Sequence, residues 1–323
     1  MADDGGSGVV PTVTGQALVN AVPRLQDIAE IDATSFRQIP GPHLSIDDLI
    51  PLAAEIQRLF ADGVHGFVIT QGTDTIEETA FALDLLIDCR CPVVVTGAMR
   101  NPTLEGADGP ANLLAAVQVV LAGADQNLGV LVVLNDEIHA AQFVHKSHTS
   151  SPSTFSSAPL GPIGWVSEGT PRIMMRPPTW PIFSPQDAVT DTPIALITMA
   201  LGDDGRLIDA AVAAEYQGLV FEAFGGGHCP PSVAEALERA TAKIPVVLCS
   251  RTGTGEVLQR TYGFVGAEID LLRRGLIKSG WLDGPKARIL LTLLLRSGAS
   301  LETIKTVFSD AAGGFKTSNS GKN

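Results

Sequence analysis

Short runs of β-branched and other apolar residues recur along the chain. Each ends in glycine, hydroxyl or carboxylate residues, and a stretch with helical spacing of apolar positions follows. The runs cover 66–70, 92–99, 129–136, 193–199, 218–224 and 245–250. A strand that is apolar throughout is buried on both faces, and helices between such strands carry the chain back to begin the next one. The alternation therefore predicts a parallel sheet with helices on both sides. Three helices are well marked. Ser45 is expected to cap a segment reaching about residue 62, with Asp47 and Asp48 in its first turn; a second helix is expected over 108–123, and a third over 285–296 with a proline in its first turn.

Between about 170 and 192 the periodicity dissolves into a proline-rich stretch, and the domain boundary is expected there. The expected organisation is an α/β protein of two domains. A larger N-terminal domain, 1–185, has a mostly parallel, flavodoxin- or Rossmann-like sheet; a smaller C-terminal α/β domain covers 193–323. Residues 147–157 are rich in serine and threonine but lie between a strand and an apolar loop at 159–166, so they read as an ordered active-site loop rather than a linker. The tail after Gly313 is expected to fray.

With 323 residues, 45% hydrophobic and 18% charged, the chain can bury a substantial core. A net charge of −13 repels nucleic acid and anionic membranes at long range, which leaves a small molecule as the expected partner. No run approaches the roughly 18–20 apolar residues of a membrane span, and Met1-Ala-Asp-Asp-Gly-Gly6 is not a signal peptide, so the expected compartment is the cytoplasm. Cys89, Cys91, Cys229 and Cys249 are too scattered for a disulfide scaffold, and Cys89-Arg-Cys91 lacks the spacing of a metal knuckle. His139, His145 and His148 lie close together without the carboxylate or cysteine spacing that completes a metal site. Neither a metal nor a cofactor is expected.

The candidate chemistry lies at the end of the first predicted strand. Residues 66–79 run from apolar positions into Thr70-Gln-Gly-Thr-Asp-Thr75 and then into a helix, and the carboxyl ends of parallel strands are where ligands collect. Thr75-Ile-Glu-Glu78 has the pattern of a helix capping box, a purely structural reading. It leaves Thr73 and Asp74 unexplained. A hydroxyl beside a carboxylate is what a nucleophile relay needs, once a third group takes the hydroxyl proton.

The segment Thr70-Gln-Gly-Thr-Asp-Thr-Ile-Glu-Glu-Thr-Ala80 resembles the second signature of the bacterial-type asparaginase family. The likeness extends over nearly the whole chain: Val93–Met99 with Arg100, Ala107-Asp-Gly-Pro110 with Asn112-Leu113, Gly129-Val-Leu-Val-Val-Leu-Asn-Asp136 and Lys286-Ala-Arg-Ile-Leu-Leu291 resemble further family blocks in the same order. The resemblance implies hydrolysis of the side-chain amide of asparagine, and often glutamine, to the acid and ammonia, through a threonine nucleophile and an acyl-enzyme, with no cofactor. It makes Thr73 the second catalytic threonine, Asp74 its neighbour that also binds the substrate α-amino group, and Lys146 in Val144-His-Lys-Ser-His-Thr149 the ammonium completing the relay. Backbone amides near Gly72 and Ala98 would serve the oxyanion. Phe224-Gly-Gly-Gly-His228 and Ser250-Arg-Thr-Gly-Thr-Gly255 resemble segments that complete the site of a neighbouring subunit, in a homotetramer built from intimate dimers.

The chain departs from the family pattern in three places. The first signature, a strand running into Thr-Gly-Gly-Thr-Ile with the primary nucleophile, is absent; the segment from Asp3 to Gly15, followed by Leu18–Pro23, resembles what comes just after it. Met1 is therefore expected to be an internal methionine, and a preceding segment carrying a signal peptide would make the protein periplasmic or secreted. Thr12 and Thr14 are the only nearby hydroxyls, in a glycine- and proline-rich loop. The turn for the substrate carboxylate reads Gly41-Pro42 where the family commonly has Ser-Gln, with His43 beside it, and His228 stands where an asparagine is frequent, with Tyr262 or Glu256 near the position of a partner-supplied glutamate. Two other readings stay open: a catalytically inactive amino-acid-binding or scaffold homologue, and the amidase subunit of a transfer-RNA-dependent amidotransferase.

Overall fold

The computed structural model describes residues 2–3, 9–10, 13–87, 90, 92–123, 127–185 and 191–312, in two compact units, Met1–Ile182 and Phe183–Asn323. The first unit begins with a small antiparallel pair, β1 (Ala2–Asp3) and β2 (Val9–Val10), and the helices α1 (Gly15–Asn20), α2 (Leu25–Ile28) and α3 (Ile46–Ala61). Then come β3 (Phe67–Thr70), α4 (Ile76–Leu86), β4 (Val93–Thr96), α5 (Gly109–Ala122), β5 (Val130–Leu134), β6 (Glu137–Ala140), β7 (His145–Lys146), β8 (Phe155–Ser156), β9 (Gly164–Ser167) and β10 (Thr170–Ile173). Six of these strands form one sheet in the order β10-β9-β6-β5-β4-β3, and β7 pairs with β8 as a separate hairpin.

Strands β3, β4 and β5 are parallel, as their uninterrupted apolar runs predict, and β4 and β5 are buried along their whole length. Side chains alternate across a strand, so the two faces are served by different residues. Val94, Leu131 and Val133 meet Ala115, Ala116 and Val119 of α5 in one cluster, and α4 packs on β4 and β5 with Ile76, Ala80, Phe81 and Leu83 fully buried. Helix α3 begins where Ser45 marks it: the Ser45 amide donates to Asp48 Oδ2 at 3.0 Å.

The rest of the sheet is antiparallel, a departure from the parallel reading. Tight turns make two of its three antiparallel pairs. Asn135 and Asp136, between β5 and β6, have φ of 53° and 60°; Glu168 and Gly169, between β9 and β10, have φ of 51° and 72°. Two consecutive residues at positive φ twist a two-residue loop to match a hairpin and reverse the chain without a crossover helix. β10 also occupies the first residues of the proline-rich stretch where the domain boundary is expected, with Pro171 on the outer strand, where a missing amide costs no sheet bond.

The second unit contains β11 (Ile194–Thr198), α6 (Arg206–Ala213), β12 (Gly218–Ala223), α7 (Pro231–Thr241), β13 (Val246–Ser250), α8 (Glu268–Arg273), β14 (Ile277–Lys278), α9 (Gly284–Arg296) and α10 (Leu301–Ala312). Its four strands are all parallel, in the order β11-β12-β13-β14. Leu219 and Phe221 of β12 and Leu248 of β13 share a core with Val233, Leu237 and Ala240 of α7. Helix α9 starts on Asp283, whose carboxylate accepts from the Lys286 amide, and Pro285 lies in its first turn. The architecture is thus a two-domain α/β fold, with the larger sheet first.

Cys229 and Cys249 are free and buried, and burial pushes the Cys229 thiol up to about 12 and Cys249 further still. Such thiols are poor nucleophiles. Cys89 and Cys91 lie outside the described residues. No helix among the described residues is long and apolar enough to cross a membrane.

Candidate active site

The parallel register puts Thr70 and Thr96 side by side at the carboxyl edge of β3 and β4. Beyond Thr70 the chain turns through Gln71 and Gly72 into a 3-10 turn, Thr73–Thr75, and then into α4. Thr73 and Asp74 therefore stand where a strand end and a helix start meet. That placement follows from the local sequence: β-branched residues give way to glycine, then to glutamate and alanine, which favour the helix.

Lys146 comes from β7, more than seventy residues away in sequence, and closes the constellation. Its Nζ lies 3.0 Å from Thr73 Oγ1 and 2.5 Å from Asp74 Oδ1. The lysine side chain is 13% exposed, whereas Asp74 is 63% exposed. The ammonium is thus held against one hydroxyl on the inside, while its counter-ion stays open to an incoming ligand. An exposed carboxylate already bonded to a lysine retains acceptor sites for a second cation.

The Thr75 half of the expected capping box does not form. Thr75 makes no cap bond to α4; its hydroxyl donates to Gly41 O at 3.2 Å and accepts from Gln71 Nε2 at 3.1 Å. A tertiary contact has taken the hydroxyl that local pattern assigns to the helix end. The result draws the 3-10 turn Gly41–His43 onto the Gly72–Thr75 turn, so Gly41 and Pro42 lie beside Thr73 and Asp74. Gly41 has little room for a side chain: a Cβ there would sit 3.2 Å from Gly72 O and from Thr75 Oγ1.

The loop after β4 forms the opposite wall. A Cβ on Gly97 would lie 2.5 Å from Gln71 O and 3.4 Å from Thr73 Cγ2, so only glycine lets the backbone approach this closely. Ala98 follows directly. Asp108 holds the loop by accepting from the amides of Met99 (3.0 Å) and Arg100 (2.9 Å). Asn112 links three segments: its Nδ2 donates to Gly97 O at 2.9 Å and to Asp108 Oδ2 at 3.2 Å, and its Oδ1 accepts from the Asn135 amide at 2.9 Å. These are residues of the Asp-Gly-Pro-x-Asn block, and their physical work here is to fix the strand ends around Thr73.

The three clustered histidines have separate tasks. His139 Nδ1 shares a 2.9 Å hydrogen bond with Ser157 Oγ, both fully buried, which ties the end of the β7–β8 hairpin to the main sheet. Burial pulls the His139 imidazole down to about 4, so it is neutral at physiological pH despite the Glu137 carboxylate 3.4 Å from Nε2. His145 Nδ1 lies 2.9 Å from Glu77 Oε2, and His148 Nδ1 accepts from the amides of Ser150 and Ser151. The loop 147–157 is held by its own hydrogen bonds, with Thr154 fully buried and bonded to Ser147 and His148.

Of the remaining candidates, Thr14 caps α1, its hydroxyl accepting from the Ala17 amide at 3.3 Å, and Thr12 lies outside the described residues. His228 belongs to the second unit. It bridges to Phe224, packs edge-on to Tyr262 at 4.9 Å between ring centres, and lies 3.2 Å from Glu268, whose buried carboxylate also accepts from the amides of Thr261 and Tyr262. Sequence reasoning missed Glu77, Asp108 and Asn112 as site-forming groups. Glu77 reads as an ordinary first-turn glutamate, and only the tertiary fold turns it inward.

Residues 1–179 match the family model described as asparaginase, N-terminal, and residues 193–308 match the glutaminase/asparaginase C-terminal domain. The chain is 37% identical over 292 residues to a probable L-asparaginase of Deinococcus radiodurans, covering 89% of this chain and 88% of that protein. It is 36% identical to L-asparaginase 2 of Escherichia coli, covering 90% and 83%. The crystal structure of a probable cytoplasmic L-asparaginase from Campylobacter jejuni superposes with a TM-score of 0.84 at 31% identity, over 91% of this chain and 93% of that one. On sequence, fold and both domain models, the chain belongs to the asparaginase family.

Proposed function

We propose that the protein is an amidohydrolase that converts L-asparagine to L-aspartate and ammonia, with Thr73, Lys146 and Asp74 as its proton relay. The observation that carries this reading is the placement of Lys146 Nζ at hydrogen-bonding distance from both Thr73 Oγ1 and Asp74 Oδ1. Amide hydrolysis through an acyl-enzyme needs a hydroxyl that loses its proton as it attacks the amide carbon and a group that returns a proton to the departing ammonia. Lys146 can exchange the proton with Thr73, while Asp74 balances the lysine charge and offers a free edge to the substrate α-amino group. In this reading Thr73 passes the proton of the attacking group to Lys146.

Gly41 and Pro42, on the turn packed against Thr73–Thr75, are assigned to the substrate carboxylate, and the amides near Gly72 and Ala98 to the oxyanion. In this reading 1–185 is the domain that carries the relay, and 193–323 supplies His228 to a site of a neighbouring subunit in a cytoplasmic homotetramer of intimate dimers. Leu258, Tyr262, Phe264 and Val265, large apolar residues exposed in the second unit, support that assignment.

The experiment is release of ammonia and aspartate from L-asparagine, measured for the 323-residue chain and for the same chain preceded by a strand ending in Thr-Gly-Gly-Thr-Ile. Equal amounts of the two products are expected, and silence in both forms sinks the reading. Variants are compared in whichever form turns over faster.

A further inference from the structure

Glu77 is a carboxylate in the first turn of α4 with only 8% of its surface exposed. A buried carboxylate is costly unless its oxygens are hydrogen-bonded. Here one oxygen, Oε2, accepts from the Lys146 main-chain amide at 2.7 Å and lies 2.9 Å from His145 Nδ1. The helix that follows Thr73 and Asp74 therefore grips the backbone of the residue whose side chain completes their relay. The relay has two linkages between the same two segments, Lys146 Nζ to Thr73 and Asp74 and Lys146 N to Glu77, and the second is the better buried. The open end of the β7–β8 hairpin, next to His145, is separately tied down by His139 and Ser157.

We propose that Glu77 is a positioning residue: it fixes the Lys146 main chain at the height of Thr73 and so determines where Lys146 Nζ stands, a role in catalysis that rests on the amidohydrolase reading. A helix first turn favours an anion, so the carboxylate is stabilised where it is needed. Shortening it to aspartate withdraws the acceptor by about 1.5 Å and leaves the charge and the helix start intact. Glutamine keeps the length and one acceptor oxygen.

The test combines two readouts on E77D, E77Q and H145A. The first is the rate at which the N-hydroxysuccinimide ester of acetic acid acylates Lys146 relative to exposed Lys305, read by peptide mass spectrometry; the second is kcat and KM for asparagine. In E77D, Lys146 labelling is expected to rise severalfold with Lys305 unchanged, and kcat to fall by about 10²-fold at nearly constant KM. In E77Q and H145A, which keep an acceptor for the Lys146 amide, Lys146 labelling stays close to that of the unsubstituted protein. Unchanged Lys146 labelling in folded E77D overturns the proposal, as does an equal rise at Lys146 and Lys305, which marks general loosening. If E77D does not fold, fast Lys146 labelling in E77Q overturns it. Labelling that responds to E77D in a protein releasing no ammonia leaves the positioning of Lys146 standing and removes the amidohydrolase reading.

Discussion

Replacing Lys146 with methionine is expected to lower kcat for ammonia release by about 10²–10⁴-fold, the span of a positioned acid–base group. Methionine keeps the unbranched stem, so packing around the half-buried side chain changes little. What disappears is the only cation bonded to Thr73 Oγ1 among the described residues, together with the countercharge of Asp74. The same pair contributes little to folding. Asp74 is 63% exposed, and an ion pair with one partner in water adds at most about 1 kcal/mol of stability. Activity and stability should therefore separate: a large loss of kcat with a nearly unchanged melting temperature. A fall in melting temperature matching the loss of activity would point to a structural lysine. An unchanged kcat would remove Lys146 from the relay.

Asp108→Ala is expected to affect both. Its carboxylate accepts from Met99 N, Arg100 N and Asn112 Nδ2, and so fixes the loop that brings Gly97 against the Thr73 methyl. Removing it leaves two amides without their acceptor, at a cost of about 2–3 kcal/mol. It also frees a wall of the site, and displacement of about 1 Å around a reacting group can cost up to about 10²-fold in rate. D108N, which can accept one amide but presents a donor to the other, should fall between. Thermal melting and kcat measured on both variants check this; a D108A protein as stable and active as its parent would show that the loop holds itself.

The parallel strands were legible because nothing but apolar burial decides them. Val93–Thr96 and Val130–Leu134 are buried throughout and read as such from composition alone. The antiparallel arm was hidden because its decisive feature is backbone sign at Asn135-Asp136 and Glu168-Gly169. Asparagine, glycine and acidic residues end strands and begin helices as readily as they turn hairpins, so the residue types there do not single out a two-residue turn.

The site divides in a similar way. Thr73 and Asp74 could be located from one continuous motif at a strand end, with the family resemblance supplying their roles. Lys146 was reachable only through that resemblance, since a lone lysine beside a serine-rich loop has no local sign of partners at Thr73 and Asp74. Thr75 looked like a helix cap and instead serves Gly41 and Gln71: the Gln71 side-chain amide at 3.1 Å donates to the oxygen that a helix amide would use, and Gly41 O at 3.2 Å takes the hydroxyl proton. Glu77 was invisible, its burial being decided by a hairpin about seventy residues further on.

The central claim is that the Thr73 hydroxyl carries the proton between the attacking group and Lys146. Steady-state ammonia release from L-asparagine by T73V and T73S tests it most directly. Valine is nearly isosteric with threonine and removes only the hydroxyl, whereas serine restores the hydroxyl without the methyl that packs against Gly97. The account predicts a kcat reduced by about 10²–10⁴-fold in T73V, substantial recovery in T73S, and folded protein throughout. A T73V protein that turns over asparagine at close to the unsubstituted rate would contradict it.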